Sequence, residues 1–203
     1  MDGLAELLHR APAWIFLVIP FTLFIIIVYT ISVAIPEATA NHYLFLIAIL
    51  VTISISRTLQ LWEYGIQAYH FLVFWFAFVY GIGPGLAMVF LSLFFVMYFV
   101  FYVPKHYLIH TMLGPILTTI TLSAIVIVAG LGAIFFPSFI YSNFIAFPVA
   151  VCAISTLFEK AGAHRFAGVE IGRLASAQVV EVMINYNLFM FYSYTYLTLL
   201  RTI

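Results

Sequence analysis

Charge is what this chain most lacks. Seven acidic and seven basic side chains stand among 203 residues, 7% of the total, while 66% are hydrophobic. A water-soluble fold cannot clothe its surface with so few charges, so lipid is the expected solvent for most of that surface. Other shortages narrow the function. Formal net charge is zero and no basic block occurs, which removes the electrostatic footprint of nucleic-acid binding. Asp2 is the single aspartate, so neither a Ser/His/Asp triad nor the paired aspartates of a membrane phosphotransferase can form within the spans. No Gly-x-Ser-x-Gly elbow and no phosphate-cradling loop occurs. Lysine is absent after Lys160, which leaves no Schiff-base lysine in the last span and excludes retinal binding. The single cysteine, Cys152, cannot form an internal disulfide and sits in an apolar run, as a small buried side chain would.

What the chain has in abundance is apolar helix. Seven segments can be counted. The first runs Ala13 to Ile35 and is closed by Pro36 and Glu37. Ala38-Thr39-Ala40 resembles a signal-peptidase site, but the run before it is too long and its flank is not net positive, so an uncleaved span is expected. The second segment starts at Tyr43 and ends between Arg57 and Trp62; the third runs from about Gln60 to Tyr80. As one helix Tyr43 to Tyr80 would reach about 57 Å, too long for one crossing. Gly81-Ile82-Gly83-Pro84-Gly85 then punctuates the chain. The fourth segment is Pro84 to Val103, and the fifth is His106 to about Ala129, with Gly130, Gly132 and Pro137 as the following turn. The sixth is Phe139 to Phe158, a polar connection covers Glu159 to Arg173, and the seventh is Leu174 to Leu200.

With a cytoplasmic N-terminus, this count puts Arg10, Arg57, Lys105, Lys160, Arg165 and Arg173 on the inner side. Only Arg201 dissents. A six-span alternative, fusing the third and fourth segments, scatters the positive residues over both faces. The expectation is therefore an all-α fold: one integral membrane domain over residues 1–203, a polytopic transmembrane helix bundle of about seven spans, integral to a cell membrane.

Ionisable and amide groups inside lipid are costly, so they mark candidate sites. In the seventh segment Gln178, Glu181, Asn185, Tyr192 and Tyr196 share one helical face at 100° per residue. In the third, Gln60, Glu63, Gln67 and His70 do the same. Either stripe must meet other helices, water or a ligand, and inter-helix hydrogen bonding alone would account for both. His106 and His110, four apart, place two imidazoles on one side of a helix, where they would share a transition metal with a carboxylate such as Glu63. Zincin spacing is absent, because Tyr107 follows the first histidine.

These residues give two functional expectations. One is a small-molecule binding or transport protein with a polar site between the third, fifth and seventh spans, lined by Glu63, Gln67, His70, Gln178, Glu181 and Asn185. The other is an accessory or metal-bearing subunit of a larger membrane complex, since short loops and an aromatic-rich surface suit burial among other membrane subunits or further copies of the chain. No nucleophile–base pair marks an enzyme.

Overall fold

The computed structural model describes residues 46–53, 69–101 and 108–201, together with positions 18, 21–22, 25–26, 28–29, 32–33, 43, 65 and 67. Among these the chain is helical and contains no strand. Residues 46–53 are helical and give Leu46, Ile49 and Ile53 to the core. Six helices follow: α1 Tyr69–Tyr80, α2 Ile82–Phe101, α3 Leu108–Phe135, α4 Pro137–Ser142, α5 Ala146–Ala167 and α6 Ile171–Arg201.

α1 (YHFLVFWFAFVY) has no polar face, and a helix that is apolar all round belongs inside. Tyr69, Phe74, Trp75 and Phe76 are fully buried there. Neighbouring helices approach closely at glycines. A Cβ on Gly85 would lie 2.7 Å from Val126 Cγ1, one on Gly130 2.4 Å from Ile82 Cγ1, and one on Gly162 2.8 Å from Leu117 Cδ2. Small residues at helix contacts let backbones approach, the usual device where hydrophobicity cannot drive association. The same pairs fix direction. α2 runs antiparallel to α3 (85 beside 126, 82 beside 130), and α3 antiparallel to α5 (117 beside 162, 118 beside 159). α1 runs parallel to α6: His70 meets Glu181, Phe74 meets Phe189 and Trp75 meets Ser193.

Three stretches, Ile116–Phe135, Ala146–Arg165 and Ile171–Thr195, are long and apolar enough to cross a membrane. At 1.5 Å per residue each covers about 30 Å or more, the hydrocarbon thickness. α5 shows the polarity this requires. Ser155, Thr156, Glu159 and Lys160 are buried, while Ile154, Leu157 and Phe158 face outward, the last 74% exposed. A helix in water sorts its residues the other way.

Five boundaries differ from the sequence expectation, the first being the sixth segment: expected unbroken from Phe139 to Phe158, it turns at residues 143–145, between α4 and α5. The third segment is not helical from Gln60: Gly65 is a turn residue at φ 74°, Gln67 is non-helical, and α1 begins only at Tyr69. The break at Gly81–Gly85 is confined to Gly81, at φ 90°, and Pro84 is accommodated in the first turn of α2, where its missing N–H costs nothing. α3 continues past Ala129 through Gly130 and Gly132 to Phe135, because those glycines serve packing against Ile82 and Ile140 instead of a turn. Finally, the polar stretch from Glu159 is helix as far as Ala167. Gly168, at φ 67°, caps it by donating its N–H to His164 O, and only residues 168–170 connect α5 to α6.

A candidate polar site within the bundle

Where α1, α5 and α6 meet, three ionisable side chains come together. Lys160 on α5 donates from Nζ to Glu181 Oε2 on α6 and, at 2.8 Å, to Gln178 Oε1. From the other side His70 Nδ1, in the first turn of α1, lies 2.8 Å from Glu181 Oε1. All three are buried, with His70 and Glu181 essentially closed to solvent. The amide of Gln178 is itself held: its Nε2 donates to Ala153 O at 3.0 Å and to Thr156 Oγ1 at 3.1 Å. Asn185, one turn beyond Glu181, donates from Nδ2 to Glu181 O. A second buried carboxylate adjoins the cluster, where Thr118 on α3 donates to Glu159 Oε1 at 2.6 Å.

The local backbone explains how His70 reaches that depth. The lead-in to α1 lies directly on α6: a Cβ at Gly65 would stand 2.0 Å from Ala177 O and 3.1 Å from Glu181 N. Only glycine fits, both for its positive φ and for the contact. Gln67 follows, buried, and then the first turn of α1, whose N–H groups carry the positive end of the helix dipole. The start of α1 is thus set against a carboxylate ten residues, about 15 Å of rise, along α6. Non-helical backbone at such depth is tolerated where protein or a polar cavity covers it. Above the polar layer the same helices turn aromatic. Phe189 packs edge-on against Phe71 and Phe74 with centroids 5.0 and 5.7 Å apart, and Trp75 Nε1 donates to Ser193 Oγ at 3.0 Å.

Charge balance follows from the inventory. The ammonium of Lys160 offsets the carboxylate of Glu181. An isolated ion at this position would cost several kcal/mol in desolvation. Gln67 Oε1, His70 Nε2 and Asn185 Oδ1 have no hydrogen-bond partner among the described residues, and His70 Nδ1 and Glu181 Oε1 meet as a close charge contact without hydrogen-bond alignment. Each buried polar group costs about 1–3 kcal/mol while unsatisfied.

Of the expected site residues, His70, Gln178, Glu181 and Asn185 gather here, and buried Gln67 lies on the lead-in. Glu63 and His106 lie outside the described residues, as does the side chain of His110. Among the described residues no three His, Cys, Asp or Glu side chains group as a metal site. The helices that build the cluster are those of the third, sixth and seventh segments; the fifth contributes Thr118 beside it. Sequence reasoning missed Lys160 by assigning it to a cytoplasmic connection. Its signal was register: Thr156 and Lys160 are four apart, as are Ser155 and Glu159, so one face of a continuing helix carries them all.

Tyr192 also departs from expectation. It is 57% exposed, and Ser193 is buried in its stead. The buried seam of α6 opens with Leu174 and from Ala177 runs through Glu181, Asn185, Phe189 and Ser193 in four-residue steps. Such a step drifts about 40° per turn at 100° per residue, as when helices cross on their i±4 ridges, so a face drawn straight down the helix misses it.

No protein-family model, no curated protein and no solved structure matches the chain. The functional argument therefore rests on the geometry of this cluster.

Proposed function

We propose that the chain is a membrane-embedded small-molecule binding or transport protein, and that the His70–Lys160–Glu181 cluster is its polar site. The observation that carries this reading is a buried carboxylate clasped by two basic groups from two other helices, at a depth where structural economy favours apolar packing. A buried ion pair is a poor source of stability, since well-packed apolar residues of similar volume do as well or better. Its place among unpartnered acceptors, at the start of a broken helix, matches the way transporters build midplane sites from interrupted helices.

The alternating directions of α1, α2, α3, α5 and α6 support a seven-span topology with a cytoplasmic N-terminus, in which these are spans three to seven. Arg165 and Arg173 then flank the α5–α6 connection on the inner side. Lys160, buried in the bundle, no longer counts among the loop charges.

The test uses the purified full-length chain. Thermal stability in mild detergent is screened against free amino acids, monocarboxylates, nucleobases and water-soluble vitamins, and any stabilising class is assayed for uptake into proteoliposomes. The expected result is saturable stabilisation by one class, with uptake by the wild type and none by Glu181→Gln. Full uptake by Glu181→Gln, in a variant that binds and folds as the wild type does, removes the proposal.

A further inference from the structure

The lipid-facing side of α6 carries a pattern of its own. Of the carboxylate, lysine and carboxamide side chains lying between Arg165 and Arg173 and the far ends of α5 and α6, Glu159, Lys160, Glu181 and Asn185 are buried and Gln178 is half-buried. Asn187 is exposed. It stands sixteen residues, about 24 Å of rise, beyond Ile171, within the stretch long enough to cross a membrane. Its Nδ2 donates to Met183 O, which leaves a carboxamide oxygen and one N–H facing hydrocarbon. Lipid offers neither donor nor acceptor, so this orientation calls for a protein partner.

The residues above and below Asn187 define that partner's geometry. Ser176, Val180, Met183, Asn187, Met190 and Tyr194 are all exposed, Met183 at 61% and Tyr194 at 80%. Their spacings alternate four and three. This is the 3.5-residue period of a coiled-coil seam, with Val180, Asn187 and Tyr194 at one core position and Ser176, Met183 and Met190 at the other. From Ala177 to Ser193 the inward seam of the same helix steps by four, so the outward one is not simply its complement. The stripe covers nineteen residues, about 27 Å, close to the hydrocarbon thickness. Among the described residues α6 packs mainly against α5 and α1.

We propose that α6 is the dimerisation helix of this protein, and that its partner is α6 of a second copy, parallel across a two-fold axis along the membrane normal. A carboxamide is both donor and acceptor, so two Asn187 side chains satisfy each other across such an axis, as an isologous interface requires. A single asparagine at the core position shared with Val180 fixes register and oligomeric state. A charged or donor-only residue there would have called for an unlike partner; asparagine is complementary to itself. The inference is independent of the polar site, which lies on the opposite, buried face of the helix.

The experiment introduces single cysteines into the full chain in its native membrane. Cys152, fully buried, is the silent background. Val180→Cys, Met183→Cys and Asn187→Cys are oxidised in parallel with Ile154→Cys and Leu157→Cys on the outer face of α5. The expected result is a disulfide-linked species of twice the chain mass from the three α6 positions and none from the two on α5. In lipid vesicles, energy transfer between labelled copies should show dimer dissociation about tenfold easier for Asn187→Leu, the weight of one inter-helix amide pair in lipid. The two Asn187 variants are checked for unchanged helicity. Cross-linking to a different protein, equal cross-linking from α5, no cross-linking at all, or an unchanged dissociation constant in Asn187→Leu would each overturn the proposal.

Discussion

Replacing Lys160 or Glu181 singly should harm this protein more than replacing both. Lys160→Met leaves the Glu181 carboxylate with only His70 beside it, and Glu181→Met leaves the Lys160 ammonium with only the Gln178 amide. Each variant strands a buried charge, a loss of about 3–5 kcal/mol. For a chain of this size that lowers the Tm by roughly 6–12 °C for the first 3 kcal/mol. In the double variant neither charge of the pair is left to desolvate. Two methionines fill much of the space, and the remaining cost is chiefly the partner lost by His70, about 1–3 kcal/mol. Additivity would predict a loss of about 6–10 kcal/mol, so the cycle should show a coupling of roughly 3 kcal/mol or more. The assay is equilibrium unfolding in mild detergent, followed by tryptophan fluorescence and circular dichroism on all four proteins. Single effects below about 1 kcal/mol that simply add would mean that the two groups are solvated apart, and the buried cluster would be disproved.

Two further predictions probe how the helices are held. Gly65→Ala puts a methyl group onto the Ala177 carbonyl at a positive φ, so it should displace the α1 lead-in and cost more than 3 kcal/mol; Gly81→Ala, with open space around it, should cost about 1–2 kcal/mol from backbone strain alone. Equal Tm shifts for the two would refute the close approach of Gly65 to α6. Trp75→Phe removes the hydrogen bond to Ser193 while keeping most of the ring, and should cost about 1–2 kcal/mol in chemical unfolding, with a Ser193→Ala background cancelling most of that loss. An undiminished effect in that background would place the cost in packing instead.

Much of the fold could be read before any coordinates, and the residues show why. Gly81 ends one helix and Pro137 begins another because neither depends on distant contacts for its backbone preference. Gly65, Gly130 and Gly132 look no different in sequence. One is a turn pressed against α6 and two lie within a helix, and the deciding fact in each case is a neighbour on another helix: Ala177, Ile82 or Ile140. The site divides in the same way. Glu181, Gln178, Asn185 and His70 stood out as polar groups in apolar helices. Lys160 did not, because a lysine near a run of polar residues ordinarily marks the membrane surface.

The sequence alone determined the solvent. So few charges point to lipid and, with it, to helices, since a backbone in lipid must satisfy its own hydrogen bonds; three helices of membrane-crossing length agree with that expectation. Only the tertiary structure decided which polar groups meet. Helix directions, glycine contacts and the four-residue drift of the α6 seam bring Lys160 and His70 onto one carboxylate from helices ninety residues apart in the chain and turn Tyr192 away. Periodicity along one helix assigns a residue to a face; the crossing of its neighbours determines what that face encounters.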